Sequence, residues 1–253
     1  TISSKGSISA YIASGGSMQM SGGTIENTGS GAALNVEVDA GSSAVSGGTI
    51  KNTGSGGYAV ISDGVLSIAS GAQISATSGT GIYANGTLTV TGGSIGSESG
   101  NALVNCGNLN MTGGNVHSDS NYGLWNAAPS GKSASVSGGS ISSGSSYPAF
   151  NSEGGDLNIS GGSVTTADGS FAVYNHAAGT VNITGGTLSA KTATIINDGA
   201  GKVKFSAGTI ASIINFNASG QVVIDGGSVK TIQGATPKNS AGTTLRQYPI
   251  QIT

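Results

Sequence analysis

The chain has 253 residues and a formal net charge of −2, and glycine accounts for 46 of its residues whereas proline accounts for 4. Hydrophobic residues make up 36% and are regularly placed, which excludes both a disordered Gly/Ser polymer, too poor in apolar side chains to form a core, and collagen with its G-X-Y period. The eight lysines and the single arginine, Arg246, are scattered, which excludes the basic surface that nucleic acid or an anionic membrane requires.

A short unit with a pair of glycines recurs about ten times along the chain. It reads LTVTGGSI at 88–95, VSGGSI at 136–141 and ITGGTL at 183–188. The units are spaced by roughly 22 residues, and the loops between them change length while the apolar positions keep their phase. This behaviour is typical of a solenoid, in which each repeat forms one turn stacked on the next.

Each repeat contains three short apolar segments in a fixed order. The first alternates apolar and polar residues, as in Leu88 and Val90, and predicts a half-buried strand. The glycine pair follows, and then a single branched residue such as Ile95. A polar loop leads to the third segment, which reads ALVN at 102–105 and GLWN at 123–126. Three strands per turn of this length indicate a parallel β-helix.

The glycine pair predicts a sharp bend in every coil. Its second residue, Gly93 in the unit at 88–95, can adopt positive φ without steric cost. The bend also brings successive backbones close together, where a Cβ atom would obstruct the approach. Ten coils stacked about 4.8 Å apart would form a rod roughly 45–50 Å long.

Asparagines recur at the end of the third segment and predict a ladder along the coil axis. Stacked amides can hydrogen-bond between successive coils, and Ser62 and Ala84 interrupt the column. We interpret the ladder as a structural element that satisfies a turn, with ligand binding through the amides as the alternative. The column comprises Asn35, Asn105, Asn126, Asn151, Asn175, Asn197 and Asn215.

The coils, the [ST]GG[ST][IVL] bends and the asparagine column resemble the pectate-lyase-like superfamily, and more specifically the Gly/Ser-rich surface proteins of gut-type Gram-positive bacteria. The resemblance covers about residues 1–235. It implies an all-β fold, a right-handed, single-stranded parallel β-helix of about ten coils of ~22 residues with three short strands each. It also implies an extracellular or cell-surface location.

The tail, residues 236–253, breaks the period. Its alternating residues Tyr248, Ile250 and Ile252 predict a capping strand or the lead into a following domain.

The superfamily that the chain resembles includes polysaccharide lyases and glycoside hydrolases, both of which need clustered charged side chains. A lyase would need acidic calcium ligands beside an Arg or Lys base, but the carboxylates are dispersed and Arg246 lies outside the coils. A hydrolase needs two carboxylates about 5–10 Å apart. The weak candidates are Glu98 and Asp119, at equivalent positions of consecutive coils with His117 nearby. Both lie in polar loops, where acidic residues usually serve turns, so we expect no catalytic activity.

Charged residues elsewhere indicate no metal site. Glu153, His176 and Asp198 follow the asparagine column in three successive coils, and we interpret them as a solvated edge. We therefore expect no cofactor and no bound metal. Glu26 and Lys51 occupy one register in adjacent coils, which predicts a surface ion pair worth under about 1 kcal/mol.

The single cysteine, Cys106, cannot form an intrachain disulfide. It lies in an apolar stretch, so we expect a small buried or half-buried side chain. No reactive role for the thiol follows from its sequence neighbours.

Aromatic residues recur one position before the asparagine column. Adjacent residues of a strand face opposite sides, and the aliphatic column with Leu103 and Leu124 fits the crowded interior better. The aromatic column would then form an exposed stripe about 30 Å long; the alternative places it in a wider core or beneath a loop. The column is Ile61, Tyr83, Val104, Trp125, Phe150, Tyr174 and Ile196, of which Tyr83, Trp125, Phe150 and Tyr174 are the candidate ligand-binding residues.

Exposed contiguous aromatic side chains usually mark a binding surface, and flat aromatic faces suit sugar rings. We therefore predict a non-catalytic β-helix segment of a secreted or surface-anchored bacterial protein, acting in adhesion or glycan binding. Its expected partner is a glycan or a host or cell-surface protein, with no nucleic acid and no membrane insertion. We expect a monomer within a larger multidomain chain. The alternatives are a polysaccharide hydrolase or lyase and a purely structural spacer.

Overall fold

The computed structural model describes residues 1–245 and the backbone of residues 250–252. It confirms the predicted all-β fold, a parallel β-solenoid of about ten turns with ~23 residues in each turn. The described residues contain no helix, and hence none long and apolar enough to cross a membrane. Arg246 and Tyr248 lie outside the described residues.

The strands form two sheets that run the length of the solenoid, and each strand pairs with its equivalents in the preceding and following coils. The first sheet has 14 strands: β1 (Ile2–Ser4), β3 (Gln19–Asn27), β5 (Ser43–Asn52), β7 (Val65–Ala76), β9 (Thr87–Ser97), β11 (Asn108–Ser118), β13 (Ser133–Val136), β14 (Ser140–Ser143), β16 (Asp156–Ile159), β17 (Ser163–Thr166), β19 (Thr180–Ile183), β20 (Thr187–Ser189), β22 (Lys202–Phe205) and β24 (Gln221–Ile224). The second sheet has 12 strands: β2 (Ile8–Ile12), β4 (Ala32–Val36), β6 (Tyr58–Ser62), β8 (Thr80–Ala84), β10 (Leu103–Asn105), β12 (Leu124–Asn126), β15 (Ala149–Asn151), β18 (Phe171–Asn175), β21 (Ala193–Asn197), β23 (Thr209–Asn215), β25 (Gly227–Gln233) and β26 (Ile250–Ile252).

The end of the chain departs from the coil pattern. Strand β26 pairs with β25 in the antiparallel direction, with Ile252 opposite Gly227, whereas the coil strands pair in parallel. Lys238 forms isolated bridges with Val223 and Thr244. The last strand of the second sheet is therefore β26 rather than a strand of a coil.

The glycine pair lies within the first sheet. In the middle coils the two segments that flank it are separate strands, such as β13 and β14, whereas in β3 to β11 they run through the pair as one strand. The pairing register shifts near the glycines, as between Met111 and Gly113. A shift of this kind is a bulge, which bends a strand without ending it.

The two glycines of a pair have different physical roles. The second has φ between 75° and 96° in nine coils, a conformation that L side chains rarely adopt. Ala72 holds this position in the remaining coil, and no described residue other than glycine has positive φ. The first glycine permits close approach: a Cβ atom at Gly138 would lie 2.3 Å from the carbonyl oxygen of Thr112 in the preceding coil.

Aliphatic side chains from both sheets fill the interior. Leu88, Val90 and Ile95 of one coil are each 0% exposed. The aliphatic column of the third segment is also buried and in the predicted register: Val60, Ile82, Leu103, Leu124, Ala149, Val173 and Ile195. Burial of each large aliphatic side chain favours folding by about 1.5–3 kcal/mol before conformational entropy is subtracted.

The asparagine column forms a continuous hydrogen-bonded ladder. Each side-chain Nδ2 except that of the last member, Asn215, donates to the Oδ1 of the asparagine in the next coil, at 2.7–2.8 Å. Most of the amides also donate to a nearby backbone carbonyl, as Asn151 does to Gly155 at 3.2 Å. The members are Asn105, Asn126, Asn151, Asn175, Asn197 and Asn215, all buried. The ladder therefore satisfies polar groups that would otherwise be costly inside the solenoid.

Asn35 does not belong to this ladder, and its predicted place there is wrong. Leu34 pairs with Val60, so Asn35 lies opposite Ile61 in the outward column. Val36 takes the ladder position, opposite Ser62. The sequence ALN in this coil resembles the ALVN of other coils, but only one residue, rather than two, separates its alanine from its asparagine.

A second buried polar column, not predicted, lies at the end of the second segment. Asn52 donates from Nδ2 to the carbonyl oxygens of Gly29 and Gly31 at 3.2 and 2.7 Å. Hydroxyl groups take over in later coils: Ser118 Oγ donates to the Gly100 carbonyl at 2.7 Å and accepts from the Asn121 amide at 2.9 Å. In these coils a buried polar side chain thus holds the loop of the preceding coil, whereas Ala76 interrupts the column.

The first position of the asparagine ladder provides a test of its energetics. Within the described residues the buried Oδ1 of Asn105 has no hydrogen-bond partner, and Ala84 precedes it in the column. We expect Ala84→Asn to supply the missing donor and to raise the free energy of unfolding by about 0.5–1.5 kcal/mol. Chemical denaturation measures the change, and Ala84→Leu, similar in size but without an amide, is the control. Equal or lower stability of Ala84→Asn relative to the control would contradict the ladder.

A glycine pair also allows a matched comparison. We expect Gly138→Ala to lower the free energy of unfolding by more than about 1 kcal/mol, because the new Cβ meets the Thr112 carbonyl. Gly22 has the same place in an earlier coil, but a Cβ there meets no described atom within 4 Å, and its φ is not positive. Thermal unfolding should show a lower midpoint for Gly138→Ala and little change for Gly22→Ala. Equal shifts of the unfolding midpoint in the two variants would contradict a close backbone approach at Gly138.

Candidate functional site

The aromatic column of the second sheet faces outward. Trp125, Phe150 and Tyr174 lie opposite one another on consecutive coils and are partly exposed. Their strand neighbours Leu124 and Ala149 are 0% exposed. Of the two arrangements that the sequence left open, the structure thus has the aliphatic column inside and the aromatic column on the surface.

The outward column is not the continuous exposed stripe of about 30 Å that was predicted. Val104 is only 3% exposed and Ile196 only 1%, so buried residues flank the central aromatics. Tyr83 is therefore separated from Trp125. It packs against Tyr58 instead, with ring centroids 5.8 Å apart at 71°.

Tyr83 also contacts the single cysteine. The half-buried Cys106 Sγ donates to the Tyr83 hydroxyl at 3.5 Å. This contact, together with burial of the ring, raises the pKa of Tyr83 to about 12. The two side chains lie apart from the central aromatics and form a packing contact of their own.

A second aromatic column, three residues before the first, completes the central surface. Tyr122 and Tyr147 stack with centroids 5.9 Å apart at 10°, and Tyr147 and Phe171 at 5.6 Å and 24°. This column was not predicted, although the spacing of aromatic residues in YGLWN, YPAFN and FAVYN carries the signal. We refer to the combined surface as the aromatic patch: Tyr122, Trp125, Tyr147, Phe150, Phe171 and Tyr174.

The two columns of the aromatic patch interlock. Tyr122 lies 4.7 Å from Phe150, and Tyr147 contacts Tyr174 edge-on at 5.0 Å and 82°. Within the outward column, Phe150 and Tyr174 are 5.4 Å apart. Aromatic contacts of this kind contribute about 0.5–1.5 kcal/mol each beyond area burial. The six rings thus hold one another in fixed orientations and still present part of their surface to solvent.

Polar groups border the aromatic patch. Trp125 Nε1 donates to Ser152 Oγ at 2.6 Å. The Tyr174 hydroxyl donates to Asp198 Oδ2 at 2.6 Å, and His176 Nδ1 lies 3.1 Å from the same oxygen. The Tyr174 hydrogen bond, and after it the one with His176, lowers the pKa of Asp198. Burial, and then Asp198, raises the pKa of Tyr174. The rim therefore holds an ionised carboxylate beside exposed ring edges.

Glu153 does not join His176 and Asp198 in one column. The register places Ser152 beside His176, since the amides of both residues bond to the coil before at the same position. Glu153 lies one residue further along the chain. Among the described residues, no group of three or more His, Cys, Asp or Glu side chains could hold a metal ion.

The weak catalytic candidates lie on the first sheet. Glu98 and Asp119 occupy equivalent positions in consecutive coils, each donating its amide to the coil before. With His117 they line a shallow cleft of about 230 Å³. Asp119 Oδ1 is 2.8 Å from His117 Nε2. The other ring nitrogen of His117 contacts Ser142 of the following coil, whereas Glu98 belongs to the preceding coil.

The predicted surface ion pair between adjacent coils is present. Lys51 Nζ lies 3.1 Å from Glu26 Oε1, and the two residues are opposite each other in the parallel register. Both side chains are partly exposed, so the pair contributes less than about 1 kcal/mol.

Comparisons with protein-family models, with curated proteins and with solved structures found no match to this chain.

The hydrogen bond between Tyr174 and Asp198 predicts a measurable titration. We expect Tyr174→Phe to raise the pKa of Asp198 towards its ordinary value, because the hydroxyl that favours the carboxylate is lost. Because folding lowers the pKa of Asp198, its carboxylate stabilises the folded state at pH values above its unfolded-state pKa of about 3.9. This stabilisation is lost as the pH falls through the pKa that Asp198 has in the folded state. NMR titration of the Asp198 carboxyl measures both variants. The control variant is Tyr147→Phe, which removes a hydroxyl that is not hydrogen-bonded to Asp198. An unchanged Asp198 pKa in Tyr174→Phe would refute the hydrogen bond between Tyr174 and Asp198.

Proposed function

We propose that this chain is a glycan-binding β-helix segment of a secreted or surface-anchored bacterial protein of the pectate-lyase-like type, acting in adhesion. The observation that carries the proposal is the aromatic patch. Six half-exposed aromatic side chains lie together on a chain in which aromatic residues make up only 5%. Their concentration on three consecutive coils supports selection for a surface property rather than for the core.

The chemistry of the patch suits a sugar ring. The rings already pack against one another, so binding costs little side-chain entropy, and their faces and edges offer apolar contact to the CH groups of a pyranose. The Asp198 carboxylate can accept hydrogen bonds from sugar hydroxyls while Tyr174 and His176 hold it in place. Apolar contact combined with a few fixed polar groups is the pattern of small-molecule recognition.

The geometry of the patch favours an extended ligand. Its rings repeat with the coils, which lie about 4.8 Å apart, and the three rungs follow the solenoid axis. A polymer with repeating units can place one unit against each rung. We therefore propose a polysaccharide chain, rather than a single sugar, as the ligand.

The alternatives differ in what they require of the patch. A spacer that only projects another domain needs no ligand at all. A polysaccharide hydrolase would use Glu98 and Asp119, which lie on the first sheet, away from the aromatic patch on the second. Substitutions in the patch and at Glu98 therefore separate the three functions.

Binding of polysaccharides to the purified chain tests the proposal. We expect a glycan array to identify a ligand and Trp125, the only tryptophan, to report its binding by a change in fluorescence. Phe150→Ala should weaken binding at least about tenfold, because it removes the central ring of the patch. Affinity electrophoresis measures Trp125→Ala, which lacks the fluorescent reporter.

The control variant is Tyr11→Ala, which removes an exposed tyrosine of the same outward column several coils away. Binding that Phe150→Ala and Trp125→Ala leave intact would refute the patch as the site. The absence of any ligand would support the spacer. Cleavage of a polysaccharide that Glu98→Gln abolishes would support the hydrolase.

A further inference from the structure

A chain of hydrogen bonds on the first sheet joins a hydroxyl, an imidazole and a carboxylate. Ser142 Oγ lies 2.8 Å from His117 Nδ1, and His117 Nε2 lies 2.8 Å from Asp119 Oδ1. These are the residue types of a nucleophile, a general base and the group that orients the base. They lie on a different sheet from the aromatic patch, and neither the adhesion proposal nor the predicted hydrolase pair accounts for Ser142.

The coil register holds the three side chains together. His117 lies in β11 directly opposite Ser142 of β14, so the two are neighbours on adjacent coils. Asp119 follows His117 by two residues and projects to the same side. Val116 and Ile141, the inward neighbours of His117 and Ser142, are both 0% exposed, which anchors the two strands in the core. Two of the three residues, His117 and Ser142, therefore belong to the sheet itself, and Asp119 follows directly after the end of β11.

The contacts assign the protons. With Asp119 accepting from Nε2–H, the neutral imidazole of His117 carries its lone pair on Nδ1. That lone pair faces Ser142 and can accept its hydroxyl proton. The roles of the two ring nitrogens are exchanged relative to the well-known serine protease arrangement, but the direction of proton transfer is the same.

The site lies on an open surface beside a cleft. Gly96 lies next to His117 in the preceding coil, on the side away from Ser142, and its missing side chain opens the cleft of about 230 Å³ there. Ser142 does not line this cleft but is partly exposed, so a small ester can reach it from solvent. Thr165 lies opposite Ser142 in the following coil and is partly exposed. Its hydroxyl is the group available to stabilise negative charge on a carbonyl oxygen next to Ser142.

We propose that Ser142, His117 and Asp119 form an acyl-transfer site that hydrolyses small acyl esters. Ser142 Oγ attacks the ester carbonyl while its proton passes to His117 Nδ1. The bond from the carbonyl carbon to the alcohol oxygen then breaks, and the alcohol leaves with that proton. Water, deprotonated by His117, attacks the acyl group on Ser142 and releases the carboxylic acid and the free hydroxyl. The imidazolium that forms in each step is stabilised by Asp119.

A fluorophosphonate probe tests this site in the intact chain, because it phosphonylates activated serine hydroxyls. We expect peptide mass mapping to find the label on Ser142, and p-nitrophenyl acetate to be hydrolysed faster than in buffer. Ser142→Ala should abolish both signals, and His117→Gln should lower the ester hydrolysis rate about 10²-fold or more. Asp119→Asn should lower it as well, while Ser67→Ala, an outward hydroxyl of β7 remote from the site, should leave labelling and rate unchanged.

Far-UV circular dichroism and thermal unfolding of each variant establish that it retains the solenoid. The site is overturned if native protein takes up no label at Ser142, if other serines are labelled equally, or if folded Ser142→Ala hydrolyses the ester at the native rate. The glycan-array result is independent, since none of these residues belongs to the aromatic patch.

Discussion

Parallel backbone hydrogen bonding between successive coils is the interaction on which the other features of this protein depend. A single turn of about 23 residues cannot bury its own apolar side chains, so each coil is stable only against its neighbours. Once the coils stack, every position of a turn stands directly above its equivalent. The chain must therefore contain residues that tolerate or favour contact with the same residue type at the equivalent position of the next coil.

This constraint explains the composition. The first glycine of a pair permits backbones to approach where a Cβ would collide, and the second supplies the positive φ of the bulge. Asparagine suits a buried column because one amide both donates and accepts along the axis. Val, Ile and Leu fill the inner columns, and serine and threonine hydroxyls bond the carbonyls of neighbouring coils. The repeat is therefore scaffold, and the aromatic patch lies where its outward residues change.

Much of this was predictable from the sequence because strand register follows from periodicity. The buried column through Leu103 and Leu124 and the ion pair of Glu26 with Lys51 were placed correctly from equivalent positions alone. Asn35 was misplaced, because in its coil the asparagine directly follows the inward residue Leu34 and therefore lies in the outward column. The column of Tyr122, Tyr147 and Phe171 was missed, since it lies at or just before the start of the strands, where loops of variable length end. The contact of His117 with Ser142 was missed as well, although the two residues occupy equivalent positions of adjacent coils, because a serine opposite a histidine lacks the opposite charges that marked Glu26 and Lys51 as a pair.

The register that points Leu124 inward and Trp125 outward underlies the core, the ladder and the patch alike, because a shift of one residue would exchange the faces of the strand. Acrylamide quenching of the intrinsic fluorescence of the native chain measures it directly, since Trp125 is the only tryptophan. The structure predicts a half-buried indole that acrylamide quenches partially, less than free tryptophan and more than a core residue. Complete protection from quenching, with the blue-shifted emission of a fully buried indole, would contradict the arrangement.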